Sequence, residues 1–208
     1  MKKKLQIEVA SDVVCPWCYI GKRRLEKAID LLKDEYEVQV QWLPFQLNPG
    51  LPPEGIPRAD YRKAKFGSLE RSKQMDARVS EEGKGEGIDF AFERMQTQPN
   101  TIQAHRLIAV AENQNAVVDA LFKAHFEQGR NIGDPQVLAE IAAQCGVKGW
   151  PEQAPDVSAT EEEVRGMGIS AVPTFIFERR TGVSGAYPAE TLAQAIREAV
   201  TPAKAGAK

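Results

Sequence analysis

The hydrophobic pattern of this chain changes its period at the motif Cys15-Pro16-Trp17-Cys18. Before the motif, Leu5 to Val9 alternates apolar and polar residues, which indicates a β-strand. After the motif, apolar residues recur at helical spacing and share one face: Leu25, Ala28, Ile29 and Leu32. Proline suits the first turn of a helix, because its missing amide hydrogen would have no partner there. The junction therefore predicts a strand that leads directly into a helix beginning within the motif.

The position of the two motif thiols indicates redox chemistry. Cysteines three positions apart in the first turn of a helix lie close enough to form a small-loop disulfide. The free backbone amides and the positive end of the helix dipole favour the thiolate of the outer cysteine. We therefore expect Cys15 to be an exposed nucleophile and Cys18 to be a more buried resolving thiol.

Composition narrows the classes of partner. A chain of 208 residues, 42% of them hydrophobic, can bury a full core. The net charge of −2 provides no basic surface for nucleic acid or for an anionic membrane. We therefore expect neither nucleic acid nor a membrane among the partners.

The start of the chain lacks the pattern of an export signal. Met1 to Lys4 resembles the basic segment of a signal peptide, but polar residues interrupt the apolar segment that would have to follow: Gln6, Glu8, Ser11 and Asp12. No apolar run approaches the roughly 18 residues of a membrane span. We expect a soluble, cytoplasmic protein whose thiols are kept reduced. In such a protein, with three cysteines in all, a Cys-x-x-Cys pair is more typical of catalysis or metal binding than of a structural disulfide.

Strand patterns occur at both ends of the chain. Residues 37–43 alternate again, so the first part predicts a strand–helix–strand unit with parallel strands. Near the other end, residues 171–177 predict a strand opened by a proline, and Thr181-Gly182 suits a hairpin turn into residues 183–185. Residues 189–200 predict an amphipathic helix.

The middle of the chain has helical patterns only. Four prolines within residues 48–58 mark a linker. We predict a helix over residues 61–82, ended by the glycine-rich stretch 83–87, and a second helix that begins at Ile102 and is capped by Asn100 or Thr101. Three further predicted helices cover residues 117–129, residues 135–146 with Asp134 as the cap, and residues 161–166 with Ser158 as the cap. A helical block is thus inserted into an α/β core.

Several stretches of the sequence resemble a known family. Cys15-Pro16-Trp17-Cys18 after a first strand, together with residues 168–175 (Gly-Ile-Ser-Ala-Val-Pro-Thr-Phe), is similar to the DsbA-type branch of the thioredoxin superfamily. Residues 11–23, Asn100-Thr101 with Ala104 to Leu107, and residues 182–186 resemble FrnE-like proteins. These proteins are relatives of DsbA, of hydroxychromene-carboxylate isomerases and of kappa-class glutathione transferases. The resemblance spans residues 4–200.

The resemblance implies the fold class and its division. We expect an α/β protein of the thioredoxin fold, with a mixed central sheet flanked by helices and an all-helical domain inserted. The expected domains are residues 1–48 and 154–208 for the two parts of the thioredoxin-like domain, the second with a frayed C-terminal tail, and residues 49–153 for the helical insertion.

The resemblance also implies the second half of a site. It implies that Pro173 is cis and lies against Cys15, and that the backbone of Val172 pairs with a bound peptide or glutathione. The substrate-binding residues that we predict are Pro16, Trp17, Val172, Pro173 and Thr174, and further candidates are His105, Asn100 and Ser184.

Two features depart from the family pattern. Thioredoxins and DsbA carry a buried acid six residues before the nucleophile, where this chain has Val9. The proton of Cys18 would then have to pass to water or to a neighbour such as Glu8 or Asp12. Some FrnE-like proteins also carry a second cysteine pair near the C-terminus, which this chain lacks.

The remaining chemistry-bearing residues have simpler interpretations. A zinc site at the motif would need further ligands, and Cys145, His105 and His125 are far apart in sequence, so we predict no metal; an iron–sulfur site is a rarer alternative still. On the apolar stripe of its helix, Cys145 fits an inert buried thiol, and His125 fits a structural role. His105 fits either a core residue or the site. The basic residues after the motif, Lys22, Arg23 and Arg24, fit a solvated face.

The sequence therefore predicts a thiol–disulfide oxidoreductase of the DsbA family. Its partners would be protein or small-molecule disulfides and thiols, with glutathione as a redox partner or ligand and no required cofactor, and the protein would be a monomer or homodimer. A cytoplasmic setting favours reduction or isomerisation. One alternative is a glutathione-dependent isomerase or transferase, although relatives with that activity have a serine at the first motif position. Another is a peptide-binding or chaperone-like module.

Overall fold

The computed structural model describes residues 2–200. In chain order its elements are β1 Lys3–Ser11, α1 Pro16–Leu31, β2 Tyr36–Pro44, β3 Ile56–Pro57, α2 Arg58–Phe66, α3 Leu69–Gly85, β4 Thr97–Gln98, α4 Ile102–Val110, α5 Gln114–Phe122, α6 Pro135–Gln144, α7 Ser158–Gly166, β5 Thr174–Phe177, β6 Thr181–Ser184 and α8 Ala189–Val200. A 3-10 turn, Phe92–Arg94, precedes β4, and a π-helical turn, Lys123–Glu127, follows α5. The predicted C-terminal tail, residues 201–208, lies outside the described part.

A mixed four-stranded sheet in the order β2-β1-β5-β6 forms the centre of the fold. β1 pairs with β2 in parallel along its whole length, from Lys3 opposite Tyr36 to Ser11 opposite Pro44. β5 is antiparallel to β1 and to β6. The crossover from β1 to β2 through α1 makes the parallel pair possible. The predicted fold class and the predicted strand–helix–strand unit are confirmed.

The two faces of the sheet bury different sets of side chains. Ile7 and Val9 of β1 are 0% and 1% exposed and belong to the main core beneath α1 and α8. Ala10 joins a smaller cluster on the other face with Leu43, Phe45 and Val164, the last of them on α7. The period-two pattern of the first strand thus separates two apolar layers.

The middle of the chain is mostly helical but not all-helical as predicted, because it contains one short β-ladder. β3 and β4 pair over two residues each, Ile56 opposite Gln98 and Pro57 opposite Thr97. The single helix predicted for residues 61–82 is wrong, because Gly67 adopts a left-handed φ of 81° and ends α2. Ser68 then caps α3 by accepting a hydrogen bond from the Arg71 amide.

The glycine-rich stretch after residue 82 does not break the helix where predicted. α3 continues to Gly85. A Cβ atom on Gly83 would lie 2.4 Å from a ring carbon of Phe90, so this glycine serves close packing rather than a turn. The chain turns at Gly87 instead, where φ is 74°.

Two further boundaries differ from the prediction. The hairpin turn lies at Glu178 and Arg179, both with positive φ, and Thr181 and Gly182 belong to β6. A left-handed turn without glycine leaves little sequence signal. Ser158 is the first residue of α7 rather than its cap, and its amide donates to the Asp156 carboxylate. The helix capped by Asp134 is confirmed.

The helical segment packs against α1 through aromatic rings. Tyr19 of α1 stacks on Phe122 with ring centroids 4.9 Å apart and meets Phe90 edge-on at 6.1 Å. Its hydroxyl donates to Glu127 at 2.5 Å. One continuous hydrophobic cluster therefore joins the sheet, α1 and the helical segment. The predicted domain boundaries stay a prediction.

The basic residues of α1 do not form the solvated face that was predicted. Lys22 is 3% exposed, and its ammonium lies 3.1 Å from the Asp119 carboxylate on α5. Arg24 pairs with Glu86 just beyond α3 at 2.7 Å and donates to the carbonyl of Ala186. Lys22 is buried and Arg24 is half-buried because helices cover α1, and acids on or next to those helices neutralise them. None of the helices of residues 2–200 has the length and hydropathy needed to cross a bilayer.

Candidate active site

The two motif cysteines lie in the first turn of α1. Cys15 is the N-cap residue, in extended conformation, and Pro16 is the first helical residue. The Cys18 amide donates to the carbonyl of Cys15 at 3.0 Å, and the Cys15 amide donates to the carbonyl of Asp12 at 3.0 Å. The tight turn after β1 thus places both thiols at the positive end of α1, as predicted.

The thiol of Cys15 is the more acidic one. A hydrogen bond from the Cys18 thiol is the largest cause that lowers the pKa of Cys15, and the backbone amides of Cys18 and Trp17 lower it further. Burial and the charge of Asp12 oppose this shift. The environment therefore favours the thiolate at Cys15, the form that attacks disulfides.

The thiol of Cys18 is held in its protonated form. The residue is 1% exposed, and burial is the largest cause that raises its pKa well above the ordinary value. The hydrogen bond to Cys15 and the charge of that thiolate raise it further. The two thiols therefore differ in acidity, with the pKa of Cys15 lowered and that of Cys18 raised.

The prediction that Cys15 is exposed is wrong. Cys15 is only 6% exposed, and its sulfur lies 3.8 Å from the carbonyl oxygen of Val172. Chain segments distant in sequence cover it, namely the loop before β5 and the helical segment. Trp17, by contrast, is 38% exposed beside the thiol. The sulfur of Cys15 is therefore less accessible than the sequence predicted.

The loop before β5 contributes the second half of the site. The Val172–Pro173 peptide bond is cis, as the resemblance implied, and Val172 meets Cys15 through its carbonyl oxygen. The sequence interpretation missed Gly21 of α1, where a Cβ atom would lie 2.9 Å from Pro173 and 3.2 Å from Phe175. A glycine in the middle of a helix costs about 1 kcal/mol relative to alanine, and that cost was the available signal.

Three further candidate residues, Thr174, Ser184 and Asn100, form hydrogen bonds within the protein itself. Thr174 donates to the carbonyl of Ala171 at 2.7 Å and shares a hydrogen bond with Ser184. Asn100 donates to the carbonyl of Leu51 at 2.7 Å and accepts from the Ile102 amide. These contacts hold the loop before β5 and the start of α4, and a substrate role for the three residues stays a prediction.

His105 and Asp12 form a buried pair next to the motif. His105 is 4% exposed and Asp12 is 0% exposed, and the imidazole Nε2 lies 3.4 Å from the Asp12 carboxylate. The other carboxylate oxygen accepts from the Leu47 amide at 2.7 Å. Glu8 was the other side chain considered as an acceptor for the Cys18 proton. It lies on the opposite face of the sheet from Val9, and its carboxylate pairs with the Arg179 guanidinium at 3.2 Å. The fold thus brings His105 to the site through Asp12.

A cleft of about 260 Å³ opens beside Cys15. One wall is formed by Cys15, Pro16 and Trp17, and the other by residues of the helical segment, among them Tyr61, Lys65, Phe66 and Met75. Lys65 lies at its exposed side and donates to the Tyr61 hydroxyl at 3.0 Å. A larger pocket of about 520 Å³ along β2 contains neither motif cysteine. Of these two spaces, the cleft is the one that borders a motif thiol.

Other titratable residues lie apart from this chemistry. Burial raises the pKa of Cys145, whose thiol donates to the carbonyl of Ala116. Burial lowers the pKa of His125 to about 4, so this residue is neutral at physiological pH. Among residues 2–200, no group of three or more His, Cys, Asp or Glu side chains is arranged to hold a metal ion.

Comparison with known proteins relates nearly the whole chain to one family. Residues 6–197 match the model of the DSBA-like thioredoxin domain. The uncharacterized protein YwbO of Bacillus subtilis is 29% identical, over 93% of this chain and 96% of its own length. A probable DsbA oxidoreductase of Streptomyces coelicolor is 31% identical and superposes with a TM-score of 0.85, covering 96% of this chain and 93% of its own.

A more distant structure shares the fold. The cytosolic disulfide reductase DsbM of Pseudomonas aeruginosa, solved with GSH, is 20% identical. It superposes with a TM-score of 0.62 and covers 93% of this chain and 98% of its own.

Proposed function

The chain belongs to the family of DSBA-like thioredoxin domains, and on that premise we propose that it is a thiol–disulfide oxidoreductase whose redox pair is Cys15 and Cys18. The observation that carries the proposal is the unequal environment of the two thiols. The pKa of Cys15 is lowered at the start of α1, and that of Cys18 is raised by burial directly behind it. A nucleophile backed by a resolving thiol is the arrangement that disulfide exchange requires.

The proposed reaction has two steps. In the reducing direction, the Cys15 thiolate attacks a substrate disulfide, forms a mixed disulfide and releases the first substrate thiol. Cys18 then attacks the sulfur of Cys15, which forms the protein disulfide and releases the second thiol. The same steps run backwards oxidise a dithiol, and the potential of the pair against that of its compartment decides the direction.

The proposed substrates are protein or small-molecule disulfides. The cleft beside Cys15 supports both, because an exposed Trp17 and apolar side chains of the helical segment, among them Phe66 and Met75, give a peptide or a compact molecule a surface next to the thiol. We propose glutathione as a redox partner, no required cofactor, and a cytoplasmic location in which the pair works as a reductant or isomerase. Either a monomer or a homodimer is compatible with this chemistry.

A second candidate is a glutathione-dependent isomerase or transferase. The cleft supports this candidate, because it has a volume of about 260 Å³ and borders the sulfur of Cys15. The buried Cys18 argues against it, because a resolving thiol is needed only to release a disulfide. The two candidates differ in whether Cys18 is required for turnover.

Reduction of a model protein disulfide by the wild type, Cys15→Ser and Cys18→Ser separates these functions. We expect loss of turnover in both variants and a trapped mixed disulfide in Cys18→Ser. Cys145→Ser serves as the matched control and retains activity, because this thiol lies apart from the motif. Undiminished turnover in Cys15→Ser would end the redox proposal, and glutathione-dependent turnover that survives Cys18→Ser would favour the second candidate.

A further inference from the structure

The second step of the proposed reaction requires a proton acceptor for Cys18. Only a thiolate attacks a disulfide, and burial of Cys18 holds it protonated. Val9 of β1, the position where thioredoxins carry an acid, has an apolar side chain and is 1% exposed, so it cannot take this proton. The inference below rests on the proposed function and concerns where that proton goes.

Two polar groups at the end of β1 and in the turn after it act on the Cys18 thiol. The Ser11 hydroxyl and the Asp12 backbone amide lower the pKa of Cys18 against the effect of burial. Ser11 is 4% exposed. Its hydroxyl can accept a proton from the thiol and pass its own proton on.

Unpaired buried polar atoms occur at Ser11, Asp12 and His105. Within residues 2–200, six buried side-chain polar atoms lack a hydrogen bond of good geometry, and three of them are the Ser11 hydroxyl, one oxygen of Asp12 and Nε2 of His105. Unpaired buried polar atoms are rare in folded proteins and call for a physical reason. His105 approaches Asp12 to 3.4 Å, and Ser11 and His105 line the same small cavity.

A small cavity lies between Ser11 and His105. It has a volume of about 10 Å³ and is lined by Ser11 and His105 together with apolar residues of β2, α4 and α5. Such a volume holds roughly one water molecule, and a buried water requires two to four polar partners. Ser11 and His105 supply them.

We propose that the buried Asp12–His105 pair takes up the proton of Cys18, through the Ser11 hydroxyl and one water molecule in the cavity between Ser11 and His105. The Nε2 atom of His105 receives the proton, and the Asp12 carboxylate stabilises the resulting imidazolium. The Leu47 amide holds that carboxylate in place with a 2.7 Å hydrogen bond.

The proposed step is balanced without another reagent. The Cys15–Cys18 bond forms while the bond between Cys15 and the substrate breaks, and the electron pair of the broken bond leaves on the substrate sulfur. The Cys18 proton moves to His105 and is then returned to the leaving thiolate or to solvent. The reaction oxidises the two cysteines and reduces the substrate disulfide.

Neighbouring titratable groups do not replace the pair. The charge of Asp12 acts on the pKa of Cys15 and on that of His125, so both groups sense this site. His125 is kept neutral by burial and hydrogen-bonds to the carbonyl of Arg130. The positive charge of Arg58 also lowers the pKa of His125.

The test separates the two steps with 5,5′-dithiobis(2-nitrobenzoate), a small aromatic disulfide that releases a coloured thiolate. Reduced protein carrying Cys145→Ser releases one thiolate when Cys15 attacks and another when Cys18 resolves the mixed disulfide. Stopped-flow records of both releases are compared for His105→Gln, Asp12→Asn and Ser11→Ala. The matched control is His125→Gln, which removes another buried imidazole.

In His105→Gln and Asp12→Asn, we expect the second release to slow roughly 10²-fold at neutral pH while the first changes less than about threefold. The deficit shrinks as pH rises, because hydroxide then deprotonates Cys18 directly. Ser11→Thr retains the hydroxyl and rescues the loss seen in Ser11→Ala.

Three results would overturn the relay: an unchanged second release in both variants, a deficit that is independent of pH, or the same deficit in His125→Gln. An unfolded variant is recognised by its loss of far-ultraviolet circular dichroism, and Ser11→Ala with its threonine rescue then decides the question. Absence of the first release in the parent protein would instead refute the proposed function itself.

Discussion

At the scale of single residues, identical side chains acquire different chemistry from their surroundings. Cys15 and Cys18 differ by one turn of α1, yet the pKa of the first is lowered and that of the second is raised. Hydrogen bonds to sulfur stabilise the thiolate of Cys15, and burial destabilises that of Cys18. The asymmetry assigns the attacking and resolving roles in the proposed reaction.

The acidity of Cys15 should depend on its neighbour. The largest cause that lowers its pKa is the hydrogen bond from the Cys18 thiol, so we expect Cys18→Ala to raise the pKa of Cys15 towards the ordinary thiol value. Because thiolate accumulates as pH rises through the pKa, the wild type should react with iodoacetamide at a lower pH than the variant. At strongly basic pH, the wild type and the variant should react with iodoacetamide at the same rate.

The measurement is the pH dependence of alkylation at Cys15, followed by peptide mass spectrometry. Cys145→Ala is the matched control, since it removes a thiol that does not contact Cys15. An unchanged profile in Cys18→Ala would show that the helix terminus alone sets the acidity of Cys15.

At the scale of elements, α1 is the part on which the site depends. It carries both thiols, packs on the loop before β5 through Gly21, and meets the helical segment through Tyr19 and Lys22. The position of the thiols relative to Val172 therefore depends on how closely α1 approaches Pro173.

Gly21→Ala should destabilise the protein even though alanine is the better helix former. The added Cβ atom would lie 2.9 Å from a ring carbon of Pro173, which cannot rotate away. Overpacking of this kind costs about 1–3 kcal/mol, and the gain in helix propensity returns about 1 kcal/mol. We expect a net loss in the free energy of unfolding measured with urea.

The control for this prediction is Gly85→Ala at the end of α3. No heavy atom lies within 4 Å of the added Cβ atom there, so the substitution should leave stability equal or higher. If Gly21→Ala changed the free energy of unfolding no more than Gly85→Ala does, the close approach of α1 to Pro173 would be refuted.

At the scale of the whole molecule, the sheet and the helical segment share one core. Phe122 of α5 and Ile7 of β1 belong to the same continuous hydrophobic cluster. Trp42 of β2 adds a polar link, since its indole N–H donates to Asn115 at 2.6 Å. Burial across this boundary couples the two parts energetically.

We expect the two parts to unfold together. Tryptophan fluorescence, which includes Trp42, and far-ultraviolet circular dichroism should report the same midpoint in urea. Phe122→Ala should shift both midpoints alike and cost about 3–5 kcal/mol. Leu31→Ala, at a position that is 52% exposed, is the control and should change stability by less than about 0.5 kcal/mol. Two separate transitions would show that the helical segment is independently stable.

Much of the architecture was accessible from periodicity and local signals. The strand before Cys15, the helix after it and the Asp134 cap are read from neighbouring residues, and the structure confirms them. Three features could not be read from neighbouring residues: the division into two helices at Gly67, the turn at Glu178 and Arg179, and the burial of Lys22. Each depends on a backbone conformation or a partner that local pattern does not reveal.

The candidate site divides in the same way. The sequence by itself determined the two thiols and their place at the start of a helix, because a change of period and a Cys-Pro-Trp-Cys motif are local. Only the tertiary structure decided that Val172 covers Cys15, that Gly21 admits Pro173, and that Asp12 meets His105. These contacts join residues far apart in the chain, and packing of the whole core is what brings them together.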